Sequence, residues 1–257
     1  MGQSRPWAQP SPARKGLDAV NGEIEATDVI VTGTRDLDEK LGGGIPVGSL
    51  CLVEGHSDAG KSVISQHLTF GALTSSQMCV AYYTTENTVR SLIAQMDSLS
   101  LYTLDYFLTD RFRIYPLGWR SDFRDTDRPF QLLVDHFFDL PERFRLVLVD
   151  SMTLLLAHST PVTILDFFSA CKNLCVRGRT ILLVAHSYSF DDEVLTRSRS
   201  LCDAHLRLKL EAVGDRLVKT LEVLKVRGAE RPTGDVVSFE IEPKMGMRPI
   251  PLAKARV

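Results

Sequence analysis

The residues with the clearest chemical potential form the run Gly55-His56-Ser57-Asp58-Ala59-Gly60-Lys61-Ser62. It fits the pattern G-x-x-x-x-G-K-[ST], with an apolar stretch before it (SLCLVE, 49–54) and helically spaced Val63, Ile64, His67, Leu68, Phe70 and Leu73 after it. Two glycines let the backbone curl so that successive N–H groups point inward at phosphate oxygens. The N-terminus of the following helix adds partial positive charge. Lys61 would neutralise the outer phosphates of a nucleotide, and the Ser62 hydroxyl would complete Mg²⁺ coordination. His56, Ser57, Asp58, Ala59 and Val63 complete the expected cradle, although the Asp58 carboxylate is an unusual neighbour for phosphate.

A second metal group is expected at Asp150, which ends the most hydrophobic run of the chain (LVLVD, 146–150). A carboxylate at a strand's C-terminal end faces the ligand crevice of an open α/β sheet; the plainer reading is a strand-ending turn residue. No glutamate follows Asp150 directly, so a base for water must come from elsewhere. Glu86 ends the strand-like AYYTTE and is expected to lie beside the phosphate-loop strand, where it could orient water at a γ-phosphate. Alternatively it is a capping or first-turn acid of the helix expected over 87–99. His186, inside VAHS, either senses the terminal phosphate or is a satisfied core histidine.

The elements that must position these groups alternate strand and helix. Strands are expected at 49–54, 78–83, 113–117, 146–150 and 180–185. Helices are expected at 61–74, 87–99, 129–140 (Phe130, Leu133, Val134, Phe137 and Phe138 inward) and from Thr160-Pro161 to about 176. This predicts an α/β fold with a mostly parallel sheet flanked by helices. After Ser200 the runs 204–210, 217–226 and 236–242 are strand-like without helices between them, so antiparallel strands are expected toward the C-terminus. Residues 1–22 hold Pro6, Pro10, Pro12, Gly16 and Gly22 among polar and basic side chains, which predicts a disordered tail before one domain over 23–257.

The 257-residue chain is 44% hydrophobic and 24% charged, which excludes collagen-like, largely disordered and disulfide-scaffold classes. Arg5, Arg14 and Lys15 against Asp18 give the tail +2, so the total of −2 leaves −4 on the remainder, which attracts neither nucleic acid nor anionic lipid. No apolar run reaches spanning length and no secretory leader is visible, so a soluble, intracellular protein is expected. The five cysteines read as small core hydrophobes of a reducing compartment.

Several segments together resemble the RecA superfamily and its KaiC-like branch: LDEKLGGGIPVGSL (37–50) and the K-x-R-G run Lys225-Val226-Arg227-Gly228. The resemblance narrows to the FlaH (ArlH) family of archaellum accessory ATPases through GKSVISQHLTFGAL (60–73), TTENTVRSLIAQMDSL (84–99), VLVDS, VAHS and GMRPIPL (246–252). It implies a RecA-like fold, binding of ATP with Mg²⁺, and hexameric rings. It further implies a place at the cytoplasmic face of the membrane beside the motor ATPase and its polytopic platform protein. Lys225 and Arg227 would then reach a neighbouring subunit's phosphates; without the resemblance, two charges alternating along a strand read as solvated edge groups. KaiC carries paired glutamates where this chain has Glu86-Asn87, and two ATPase halves where this chain has one, so slow or partner-dependent hydrolysis and a switch or assembly role are implied.

Two other readings share these features. One is a KaiC-like signalling ATPase not tied to motility. The other is a RecA/RadA-type DNA-handling ATPase, whose DNA loop would correspond to SYSFDDEVLTRSRS (187–200); there Asp191, Asp192 and Glu193 would repel a phosphate backbone, although Arg197 and Arg199 follow.

Overall fold

The computed structural model describes residues 29–118, 128–213, 216–234 and 236–250; the expected tail over residues 1–22 and the last two positions of GMRPIPL lie outside them. In chain order the elements begin with β1 (Val29–Ile30), α1 (Arg35–Lys40), β2 (Ile45–Pro46), β3 (Leu50–Gly55), α2 (Lys61–Thr74) and β4 (Cys79–Thr84). There follow α3 (Val89–Ser98), α4 (Leu104–Leu108), β5 (Phe112–Pro116), α5 (Arg128–Asp139), β6 (Phe144–Asp150), α6 (Thr153–Leu156), α7 (Pro161–Val176) and β7 (Thr180–His186). The chain closes with α8 (Asp192–Leu201), β8 (Ala204–Val213), β9 (Arg216–Val226), β10 (Val236–Glu242) and β11 (Gly246–Pro249).

Nine strands form one sheet in the order β11-β10-β9-β8-β3-β7-β6-β4-β5, and β1 pairs with β2 separately. From β8 through β5 every pairing is parallel, whereas β8, β9, β10 and β11 run antiparallel in turn. Strand side chains alternate between faces, and the apolar runs of the parallel strands feed two cores. Cys51 and Val53 point with α2 and α3 into one; Leu50 and Leu52 point with α5, α7 and α8 into the other. That is why β3 and β7 are apolar almost throughout rather than alternating. Cys51, Cys171, Cys175 and Cys202 are buried in these layers, and burial pushes their thiols up.

Three expectations need correction. The strand leading to Glu86 does not lie beside the phosphate-loop strand: β3 is flanked by β7 and β8, and β4 pairs with β6 and β5. Phe138 does not face the core; it is 43% exposed, with the Arg177 guanidinium stacked over its ring. Successive residues 137 and 138 sit about 100° apart on a helix, and Phe137 takes the buried direction. The stretch after His186, a loop only under the DNA-handling reading, is a short 3₁₀ turn followed by α8, whose Asp192 and Glu193 suit a helix N-terminus. Elsewhere the local chemistry works as read: Thr160 caps α7 by accepting from Thr163 N–H, with Pro161 in the first turn.

The phosphate-loop strand is tied to its antiparallel flank by a buried carboxylate. Glu54 is fully buried, and its Oε1 accepts from Arg199 of α8 (2.5 Å), His205 Nε2 (2.7 Å) and Arg207 Nε (3.2 Å). Because a carboxylate here only accepts, His205 carries its proton on Nε2. Burial alone would raise the Glu54 pKa, but the His205 and Arg199 contacts outweigh it and lower it to about 2. Such a group contributes stability at pH values above its unfolded value near 4.5, and that contribution disappears as pH falls toward 2. Replacing Glu54 with Gln therefore takes the carboxylate away from the partly buried Arg199 and Arg207, of which Arg207 keeps Glu222, and should destabilise the fold by about 1–3 kcal/mol at pH 7. Urea denaturation should show that gap shrinking steadily below pH 4.5; a pH-independent gap would contradict the assignment.

Candidate functional site

The turn at the end of β3 forms because two positions have no side chain. Gly55 has φ 156°, and a Cβ there would sit 2.1 Å from the Leu208 carbonyl of β8. Gly60 (φ 98°) is left-handed at the N-cap of α2, a conformation that penalises other residues. Between them His56, Ser57 and Asp58 are exposed and Ala59 is buried. Lys61 opens the helix, largely buried, with its Nζ donating to the His56 carbonyl at 2.6 Å. Burial holds its pKa below the ordinary lysine value, opposed by the charges of Asp150, Glu86 and Asp58.

Parallel pairing sets the opposite wall. Gly55 is level with His186, Val184 is level with Asp150, and Asp150 is level with Thr84. Asp150 is 4% exposed. Its Oδ1 accepts from Ser62 Oγ at 3.2 Å and its Oδ2 from Tyr82 Oη at 2.7 Å. Burial raises the Asp150 pKa against both hydrogen bonds, while burial and the Asp150 charge push the Tyr82 phenol well up, so Tyr82 stays a donor. The helix hydroxyl and the strand carboxylate thus meet beside the loop. Two hard oxygen donors with one buried carboxylate fit Mg²⁺, which keeps several waters and takes its remaining oxygens from phosphate.

Glu86 stands just past β4, exposed, and its Oε1 accepts from Ser151 Oγ at 3.4 Å. Thr88 is the residue that caps α3, accepting from Ser91 N–H, so Glu86 belongs neither to the cap nor to the first turn. His186 is half-buried, stacked on Tyr188. Its backbone N–H donates to Thr153 Oγ1 and its Nδ1 lies 2.8 Å from the same oxygen. With that hydroxyl donating to Nδ1, the ring presents Nε2–H. Burial, then the Lys61 charge, keeps the ring's pKa low.

Lys61, Ser62, Val63, Glu86, Asp150 and His186 line one cleft of about 570 Å³, within the size range of small-molecule sites. Lys225 and Arg227 do not join it. Val226 is paired with Ala204, which is level with Cys51; Gly55 is level with Leu208, four residues farther along β8. At about 3.3 Å per residue the pair lies ~13 Å below the phosphate loop. Lys225 Nζ donates to the Arg199 carbonyl at 2.8 Å, Arg227 approaches Asp203 at 3.7 Å, and both line a separate cleft with Arg199 and His205. Three cleft residues, Ser151, Lys219 and Ile241, escaped sequence reasoning, as did Tyr82, which serves the cleft only through its bond to Asp150. Tyr82 is hidden in an all-apolar strand, Ser151 is one of many serines, and Lys219 of β9 showed only as a lone cation between Leu217 and Leu221.

A phosphate loop at the C-terminal edge of a parallel sheet, with helices on both faces and an antiparallel flank, defines a RecA-like P-loop protein. The family model for KaiC ATPases matches residues 30–252. The archaeal flagellar ATP-binding protein FlaH of Sulfolobus acidocaldarius is 30% identical over 233 residues, 89% of this chain and 99% of that protein. The protein of the same name from Methanocaldococcus jannaschii is 28% identical over 217 residues, 82% of this chain and 91% of its own. The crystal structure of flagellar accessory protein FlaH from Methanocaldococcus jannaschii matches with a TM-score of 0.76 at 26% identity, covering 87% of this chain and 99% of that one. The chain belongs to the KaiC ATPase family and, within it, to the FlaH group.

Substituting Tyr82 with Phe leaves Asp150 Oδ2 buried without its donor and should cost about 1–3 kcal/mol of stability. In a double-mutant cycle with Asp150→Ala, the loss from Tyr82→Phe should largely vanish. Additive losses in urea melts would show that the bond does not couple the two side chains.

Proposed function

We propose that this chain is the ATP-binding component of an archaellum motor complex, acting as a nucleotide-dependent switch or assembly factor. The observation that carries the reading is the meeting of Lys61, Ser62 and Asp150 in one cleft of a FlaH-group protein. Residues 23–257 act as one ATP-binding domain. Gly55 to Val63 hold the phosphates with Lys61 on the outer ones, Ser62 and Asp150 hold Mg²⁺, and His186 directs Nε2–H toward the terminal phosphate. When bound, Mg²⁺ supplies charge neutralisation on the phosphate oxygens.

Glu86, exposed at the cleft and in contact with Ser151, orients water, and its exposure suits slow or partner-dependent hydrolysis. Lys225 and Arg227, too far from their own loop, act on a neighbour's phosphates in a hexameric ring. The motor ATPase and its membrane platform are the partners. No helix among the described residues is long and apolar enough to cross a membrane, and attachment to the membrane's inner face would come through those partners. The DNA-handling reading loses support from α8, where Arg199 is drawn onto the buried Glu54 and the exposed Arg197 is neutralised by Glu193 one turn away.

Calorimetry should find ATP binding that needs Lys61: Lys61→Ala should weaken it at least a hundredfold, and Ser62→Ala should remove most of its Mg²⁺ dependence. Glu86→Gln should bind ATP normally and lose whatever hydrolysis the wild type shows. Arg227→Ala should leave binding to the isolated chain intact while reducing ATP-dependent assembly by gel filtration. Absence of ATP binding by the wild type sinks the reading. ATP binding with no association to a motor ATPase or platform protein would favour the signalling alternative.

A further inference from the structure

Lys61 is the loop's own cation, but Lys219 lines the same cleft from a different part of the fold. It lies in β9, opposite Leu210 of β8 and Phe239 of β10. Because β3 ends level with Leu208 while β8 runs on to Val213, the β8–β9 pair rises past it as a wall beside the phosphate loop, with Lys219 two residues, about 7 Å, beyond the end of β3. Residues directly opposite on antiparallel strands share a face, so Lys219 sits with Phe239 and, two residues on, Ile241. That face abuts the loop: a Cβ on Gly60 would meet the Phe239 ring at 3.1 Å and Ile241 at 3.4 Å. Lys219 Nζ donates to the Asp58 carbonyl at the crest of the loop. An ammonium has three donors, and this contact uses one.

The position selects a part of the nucleotide. Ser62, Asp150 and His186 gather on the β7–β6 side of β3, so the metal-bearing end of the phosphate chain lies there. The nucleoside end falls on the β9–β10 side, where Val63 and Ile241 offer an apolar ledge beside the Lys219 amine. We infer that Lys219 binds the α-phosphate, the group nearest the nucleoside and common to ATP and ADP, while Val63 and Ile241 flank the nucleoside. The inference rests on the nucleotide-site reading above and extends it to a residue outside the motif.

The test is titration of wild type, Lys219→Met, Lys219→Gln and Lys219→Arg with ATP and with ADP at one ionic strength. Thermal melts without nucleotide establish that each variant is folded. Met and Gln should weaken both nucleotides by a similar factor of about ten, and Arg should recover most of it. Gln keeps an N–H for the Asp58 carbonyl without the charge. Should Gln bind like wild type while Met does not, Lys219 merely pins the loop and the inference fails. It also fails if both variants bind like wild type, or if only ATP is weakened, which would put the amine at the γ-phosphate. If Met melts below the assay temperature, Gln and Arg decide. Wild-type binding that is lost in Lys61→Ala but indifferent to residue 219 overturns this inference alone; a wild type that binds neither nucleotide overturns the site as well.

Discussion

Asp150 has almost no access to water, and a carboxylate so placed is tolerable only when its oxygens find partners. One donor is Ser62 in the first turn of α2 and the other is Tyr82 in the middle of β4. Meeting both conditions requires β4 to be paired with β6 and α2 to sit over that pair. The sheet order and the placement of the phosphate-loop helix are therefore bound to one side chain. Had β4 been next to β3, Tyr82 could not have served Asp150, and Thr84 would not stand level with it.

Glu54, in β3 itself, is the counterpart that ties this strand to its other flank. It gathers Arg199, His205 and Arg207, so it fixes β8 and the end of α8 against the loop strand. The segment from His186 to Arg199 is thus pinned at two places, at the cleft through Thr153 and beneath the sheet through Glu54. Arg199 also lends its carbonyl to Lys225. Two buried carboxylates, Glu54 on the loop strand and Asp150 two strands away on β6, hold the architecture between them.

The sequence carried the local chemistry well. The Gly55–Ser62 run, the apolar strands before it and at 146–150, and the Thr160-Pro161 cap are all set by neighbours within a few residues, and each element formed where its pattern pointed. Strand order was illegible for the opposite reason. Pairing of β4 with β6 rather than β3 depends on contacts some sixty residues apart, and an all-apolar strand fits equally between any two neighbours. The helix α8 was missed because its polar composition resembles a loop; only its buried Val194, Leu195 and Ser198, packed on α7, reveal a helical face. Tyr82 and Lys219 lay beyond reach because each matters through a partner far away in the chain, Asp150 in one case and Asp58 in the other.

The vertical separation of the phosphate loop from the Lys225–Arg227 pair gives the molecule a direction. If those cations serve a neighbour's socket, as proposed, an open head-to-tail row of n copies would hold one fewer finished socket than it has members, whereas closure into a ring would finish every one. The number of whole sites would then be a count of contacts rather than of molecules.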